Sequence, residues 1–184
     1  MSLVLASNQL VDCFGNVYNV IKMMPSGFCG YHGLSYCLSG SQLSYSSIVD
    51  DVINVLTNIT DLFRLRTNFG ARDNCSSTLS DYAAFMRESV RRVQSGLPVH
   101  TDSWCEDSDF AAISLLYDIT ICIYSTESKQ WSVFNECAGR GYICLLNSPG
   151  HFDVLDGING EPPRIPISAH THGVTRNSLQ SDAW

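Results

Sequence analysis

Charge is scarce in this sequence. Only 16% of its 184 residues are charged, against about a quarter in an ordinary globular chain. Basic residues are fewer still: 11 Lys and Arg face 18 Asp and Glu, a formal net charge of -7. Phosphate binding depends on clustered Lys and Arg, so a polyanion is excluded as the expected ligand and a basic partner fits better. Long apolar runs are also missing. The longest, Ala111 to Tyr124, is interrupted by Ser114, Asp118 and Thr120 and is too short to span a bilayer. No charged-then-apolar leader opens the sequence, which leads us to expect a soluble, cytoplasmic monomer that binds neither membrane nor nucleic acid. The C-x-x-C pair on which zinc fingers and ribbons are built is absent too, and neither metal nor cofactor is expected.

What the chain does have is material for a core. Apolar types make up 45% of it, enough to exclude a disordered tail and to let one domain of this size bury roughly two thirds of its unfolded surface. Eight cysteines are present: Cys13, Cys29, Cys37, Cys75, Cys105, Cys122, Cys137 and Cys144. Cys122 and Cys144 lie inside apolar runs, where a free thiol behaves as a small buried hydrophobe. Cys29 keeps different company.

The order of elements argues for an α+β fold, helices first and then a mostly antiparallel sheet. The first twenty residues read as a mixed lead-in with short strand character. After the Pro25-Ser26-Gly27 turn, Tyr31, Leu34, Ser35 and Leu38 repeat at helical spacing from Cys29 onward. A second helix is predicted over 46–57, a loop over 68–78 and a third helix from Asp81 to Val93, stopped by Gly96 and Pro98. A short helix capped by Asp107 or Ser108 runs through Phe110, Ile113 and Tyr117. Strands are predicted from Ile119 to Tyr124, Trp131 to Asn135, Tyr142 to Leu146 and His151 to Leu155. Residues 1–160 form the expected domain, and 161–184, with two adjacent prolines and little periodicity, a tail or linker.

A thiol at a helix N-terminus is a nucleophile in waiting, because the unpaired N–H groups there favour the thiolate. Cys29 has that placement, and Gly27 and Gly30 on either side would let backbone N–H groups approach a reacting carbonyl. The base it needs is available in His151, at the start of a strand. Asp153 lies two residues on, on the same face of that strand, where it can orient the imidazole.

Ser26-Gly27-Phe28-Cys29-Gly30-Tyr31-His32 resembles the nucleophile motif of the OTU (ovarian tumour) family of cysteine deubiquitinases, commonly D-G-x-C with an aromatic two places later. The stretch from Trp104 through Asp109 and Phe110 to Tyr124 is similar to the family's Trp-helix-strand block. Ile143 to Leu146, then His151-Phe152-Asp153, is similar to its histidine motif, and Leu79-Ser80-Asp81-Tyr82 to the helix before the Trp. The three motifs span Met24 to Asp156 in the family's order, with wording nearest the viral OTU domains of nairoviruses and arteriviruses.

The resemblance implies a papain-like OTU fold and hydrolysis of the (iso)peptide bond after the C-terminal glycine of ubiquitin or a ubiquitin-like modifier. Cys29, His151 and Asp153 would form the catalytic triad, in a domain of a viral polyprotein acting in the host cytoplasm. It further implies an oxyanion hole from the backbone near Ser26, Gly27 and Cys29. Phe152 would wall the channel for the substrate's glycine pair, and Trp104 would sit beside the histidine. From the acidic cluster around Trp104 we expect Asp107 and Asp109 to receive arginines of the ubiquitin tail. Ser26 departs from the family, which carries an acid there; its side chain is expected to fix the loop less well. The zinc-binding insertion of the arterivirus enzymes has no counterpart. The same residues also admit a ubiquitin-binding module with weak catalysis, or a protease that cleaves its own polyprotein. From a different class, the cysteines and the pair His170 and His172 admit a metal-binding structural domain.

Overall fold

The structure, a computed structural model, describes residues 8–59, 78–136 and 138–157. The 161–184 tail, the His170 and His172 pair, Cys75, Cys137 and most of the 68–78 loop lie outside them. Among the described residues there are four α-helices and six strands: β1 (Gln9–Val11), β2 (Val17–Ile21), α1 (Cys29–Ser39), α2 (Tyr45–Asn58), α3 (Leu79–Gln94), α4 (Asp107–Tyr117), β3 (Thr120–Ser125), β4 (Trp131–Phe134), β5 (Tyr142–Ser148) and β6 (His151–Gly157).

The strands form one sheet in the order β1-β2-β6-β5-β3-β4, antiparallel throughout except for the β3–β5 pair. That is the mostly antiparallel α+β sheet expected from the sequence. Alternation sorts its two faces. Ile121, Ile123, Ile143, Leu145 and Val154 face the helices and join the main core with Leu34, Val52, Leu56, Met86 and Ile113. Cys122, Tyr124, Cys144, Leu146 and Leu155 point the other way, into a smaller cluster with Tyr18 and Trp131. Cys122 and Cys144, opposite each other across β3 and β5, are buried as their apolar neighbourhoods predict.

Helix boundaries follow from local chemistry. Thr78 caps α3 by accepting from the Asp81 N–H, with Asp81 in the first turn and Arg91 and Arg92 in the last, each charge placed where the helix dipole favours it. The start of α4 is one residue earlier than a cap at Asp107 would give. Glu106 occupies the cap position, and the Asp109 carboxylate accepts the Glu106 N–H at 2.9 Å. At Gly33 a Cβ would lie 3.2 Å from Leu145 Cδ2, so the bare backbone brings α1 close against β5 and β6. No helix among the described residues is long and apolar enough to cross a membrane.

The short strand character of the first twenty residues is realised in a way that affects the site directly. The N-terminal segment is part of the sheet: β2 pairs antiparallel with β6, with Ile21 opposite Val154. That register carries Lys22 and Met23 alongside Asp153.

Candidate active site

Cys29 is the first residue of α1. The first bond of the helix's backbone ladder is from the His32 N–H to the Phe28 carbonyl, so the N–H groups of Cys29 and Gly30 are not used by that ladder. The turn into it needs Gly27, whose φ is +81°. A Cβ there would also meet Val99 Cγ2 at 2.6 Å and Trp104 Nε1 at 3.2 Å. Gly30 is required for packing rather than for access to a carbonyl, since a Cβ at that position would lie 2.5 Å from Cys105 Cβ.

The histidine comes from the far end of the chain. Pro149-Gly150 turns β5 into β6, with Gly150 at φ +72° and Ser148 opposite His151. This hairpin delivers Phe152 to the sulfur: its N–H donates to Cys29 Sγ at 3.2 Å across 123 positions of sequence. His151 Nε2 lies 3.0 Å from Asp153 Oδ1. With Asp153 ionised, Nε2 is the donor in that contact, leaving Nδ1 as the ring nitrogen free to take a proton.

Asp153 is only 2% exposed, and it is held on three sides. Oδ1 accepts from the Met23 N–H at 3.0 Å and from His151, and Oδ2 from Lys22 Nζ at 2.7 Å. Burial pushes its pKa up, but Lys22, the Met23 amide and His151 together outweigh burial and hold it below the usual carboxylate value. Lys22, one of two lysines in the chain with Lys129, is the residue that sequence reasoning missed. Its signal was the β2 strand, too short and irregular to be aligned with β6 from sequence. The Cys29 thiol moves against expectation. Burial raises its pKa, Asp153 adds to the rise, and the N–H groups of Phe152, Gly30 and Cys29 offset it only in part. Attack by this thiol calls for a base nearby to take its proton.

Six of the nine residues singled out from the sequence line one cleft of about 300 Å³: Gly27, Cys29, Trp104, Asp107, His151 and Phe152. Trp104, 36% exposed, lies against the Gly27 turn on one side and Gly150 on the other, bridging the nucleophile loop and the histidine hairpin. Phe152 stacks edge-on to Phe110 at 5.3 Å, at once a wall of the cleft and part of the core behind it. Ser125, Ser132 and Asn147 add polar groups to the lining. Nothing in their sequence context separates them from other strand residues.

Asp109 does not join them. It is fully buried, and its Oδ2 accepts from the Tyr31 hydroxyl and the Glu106 N–H, both at 2.9 Å. The carboxylate ties α4 to α1 and is not a surface for an incoming arginine. Asp107, exposed at the cleft, keeps that opportunity. Ser26 also departs from expectation. Its N–H is committed to the Met24 carbonyl at 2.9 Å, which removes it from the set of oxyanion donors. Its side chain still contacts the loop: Oγ lies 2.8 Å from His32 Nε2 and accepts from the Phe28 N–H. Among the described residues no group of three His, Cys, Asp or Glu is arranged to hold a metal ion.

Known structures share this architecture. The viral OTU domain protease of Dera Ghazi Khan virus matches with a TM-score of 0.55 at 15% identity, over 82% of this chain and 95% of its own. That of Qalyub virus matches at 0.54 and 18%, over 77% and 85%. An OTU domain solved in complex with ubiquitin matches at 0.54 and 20%, over 83% and 78%. The fold is that of the OTU domain. No family model matches the sequence and no curated protein matches it, so the likeness lies in the OTU architecture, at identities where sequence alone is faint.

Proposed function

We propose that this chain is a cysteine-type deubiquitinase. It would cleave the (iso)peptide bond after the C-terminal glycine of ubiquitin or a ubiquitin-like modifier, with Cys29 as nucleophile, His151 as acid–base and Asp153 as the group that orients it. The observation that carries the reading is the convergence in one cleft: Cys29 Sγ 3.2 Å from the amide following His151, and His151 in turn 3.0 Å from a buried carboxylate. The OTU fold, one example of which is solved with ubiquitin, supports that substrate class.

As Cys29 Sγ bonds to the glycine carbonyl carbon, its proton passes to His151 Nδ1. The carbonyl oxygen gains negative charge, which the N–H groups of Gly27 and Cys29 stabilise. The imidazolium, favoured by Asp153, then donates its proton to the departing amine as the C–N bond breaks, leaving a thioester on Cys29. Water, deprotonated by His151, attacks the thioester; the C–S bond breaks, the thiol recovers its proton and the modifier leaves with a free carboxylate. Trp104 and Phe152 narrow the cleft to a width that suits glycines, and Asp107 at its edge faces the basic tail of the modifier.

The test is hydrolysis of a fluorogenic ubiquitin C-terminal amide. The wild-type chain turns it over, and Cys29→Ala, which removes the nucleophile without enlarging any side chain, does not. Equal rates for the two proteins end the proposal.

A further inference from the structure

We propose that Ser26 and His32 form a positioning relay that locks the Gly27-Phe28 turn in the shape the oxyanion needs, a proposal that rests on the thiol-hydrolase reading for its catalytic consequence. His32 is fully buried in α1 and takes no part in the chemistry above. Both of its ring nitrogens are nevertheless engaged. Nδ1 lies 2.8 Å from the backbone carbonyl of Gln42, which can only accept, so Nδ1 carries the proton. Nε2 is then the acceptor, and the Ser26 hydroxyl, 2.8 Å away, donates to it. With its hydrogen so directed, Ser26 Oγ presents its lone pairs to the Phe28 N–H, 3.3 Å away.

Ser26 is thus held at both ends, by its own N–H on the Met24 carbonyl and by its hydroxyl. The residue after it is Gly27, at φ +81°, where glycine alone would leave the next peptide plane free to rotate. Binding the Phe28 N–H to Ser26 fixes that plane and settles which backbone donors remain for the cleft. The neutral form of His32 suits this arrangement. Burial lowers its pKa, with the Gln42 carbonyl opposing only in part, and the Tyr45 ring packs edge-on to it at 4.4 Å. Gln42 carries the relay further. Its side chain accepts from the Met24 N–H at 2.9 Å and donates to the Lys22 carbonyl at 3.2 Å. The segment it clasps is the one whose Lys22 ammonium and Met23 N–H hold Asp153. The nucleophile loop and the acid of the triad are therefore braced by the same residue.

Ser26→Ala removes the hydroxyl and Ser26→Thr restores one, and three measurements on the full chain read the outcome. Amide hydrogen exchange at Phe28 is expected to rise about tenfold or more in Ser26→Ala, since the N–H loses its partner. On the ubiquitin amide, kcat is expected to fall about tenfold or more with KM within about twofold, because the oxyanion forms only after substrate has bound. Alkylation of Cys29 by iodoacetamide, which passes through no oxyanion, is expected to stay within about twofold. Ser26→Thr recovers both affected quantities. Unchanged Phe28 exchange in Ser26→Ala overturns the relay, as does unchanged kcat on an active wild type, or an alkylation rate that falls as far as kcat. A wild-type chain inactive on the ubiquitin amide ends the deubiquitinase reading, while exchange at Phe28 still decides the relay.

Discussion

A carboxylate buried as deeply as Asp153 would ordinarily take up a proton, and its three partners are what keep it charged. The linkage has a definite sign. The folded pKa lies below the unfolded value of about 3.9, so Asp153 stabilises the fold above that value, and the contribution is lost as pH falls through the lowered folded pKa. Lys22→Met removes the ammonium and lets the folded pKa rise, so the mutant is less stable than wild type near pH 7, and the deficit narrows as the pH drops through 4 and Asp153 takes up its proton in both proteins. The Lys22 side chain is 67% exposed and salt screens the pair, so the difference is small and shrinks at high ionic strength. Urea midpoints measured across that pH range check this; parallel curves for the two proteins would contradict it. At this scale the meeting of Cys29 with the His151–Asp153 segment was legible from sequence because few residue types suit thiol chemistry and the neighbours of these three are distinctive. Asp109 was misread for the opposite reason. A carboxylate among carboxylates looks like a solvated surface, and the Tyr31 hydroxyl that buries it lies 78 positions away.

The helices and most strands are legible as elements because their apolar residues recur at periods of 3.6 or 2 over enough length to be unambiguous. Strands β1 and β2, three and five residues long, fall below that length. Only their pairing with β6 makes them strands, and pairing is a tertiary fact. Closer still to function is the fit of α1 against the segment carrying Cys105. Gly30 leaves no room for a side chain there, so Gly30→Ala must displace either the helix start or its neighbour. The expected cost is about 1–3 kcal/mol in urea unfolding, with lowered turnover because Cys29 moves with the helix. Pairing it with Cys105→Gly, which vacates the contested space, recovers part of that loss as a favourable coupling. A Gly30→Ala midpoint equal to wild type would show that the contact yields without strain.

Across the whole molecule, the sheet is the device that turns sequence distance into contact. Helix α1 rests on β5 and β6 through Gly33, and the β5–β6 hairpin brings its turn to the helix N-terminus, so residues at opposite ends of the described chain share one cleft. The fold class was readable from the order of elements, but the edge-to-edge order of the six strands was not, since it depends on which surfaces meet. The net charge of -7 and the exposed Asp107 suit a basic tail entering that cleft. The central claim is that this cleft delivers the C-terminus of ubiquitin to Cys29 and to no other thiol. The direct measurement is covalent trapping with ubiquitin bearing a C-terminal electrophile, followed by peptide mapping of the adduct. The account predicts a single adduct on Cys29 of the folded wild-type chain, slowed in His151→Ala and absent in Cys29→Ala. An adduct that persists in Cys29→Ala, or none at all on folded wild type, would contradict it.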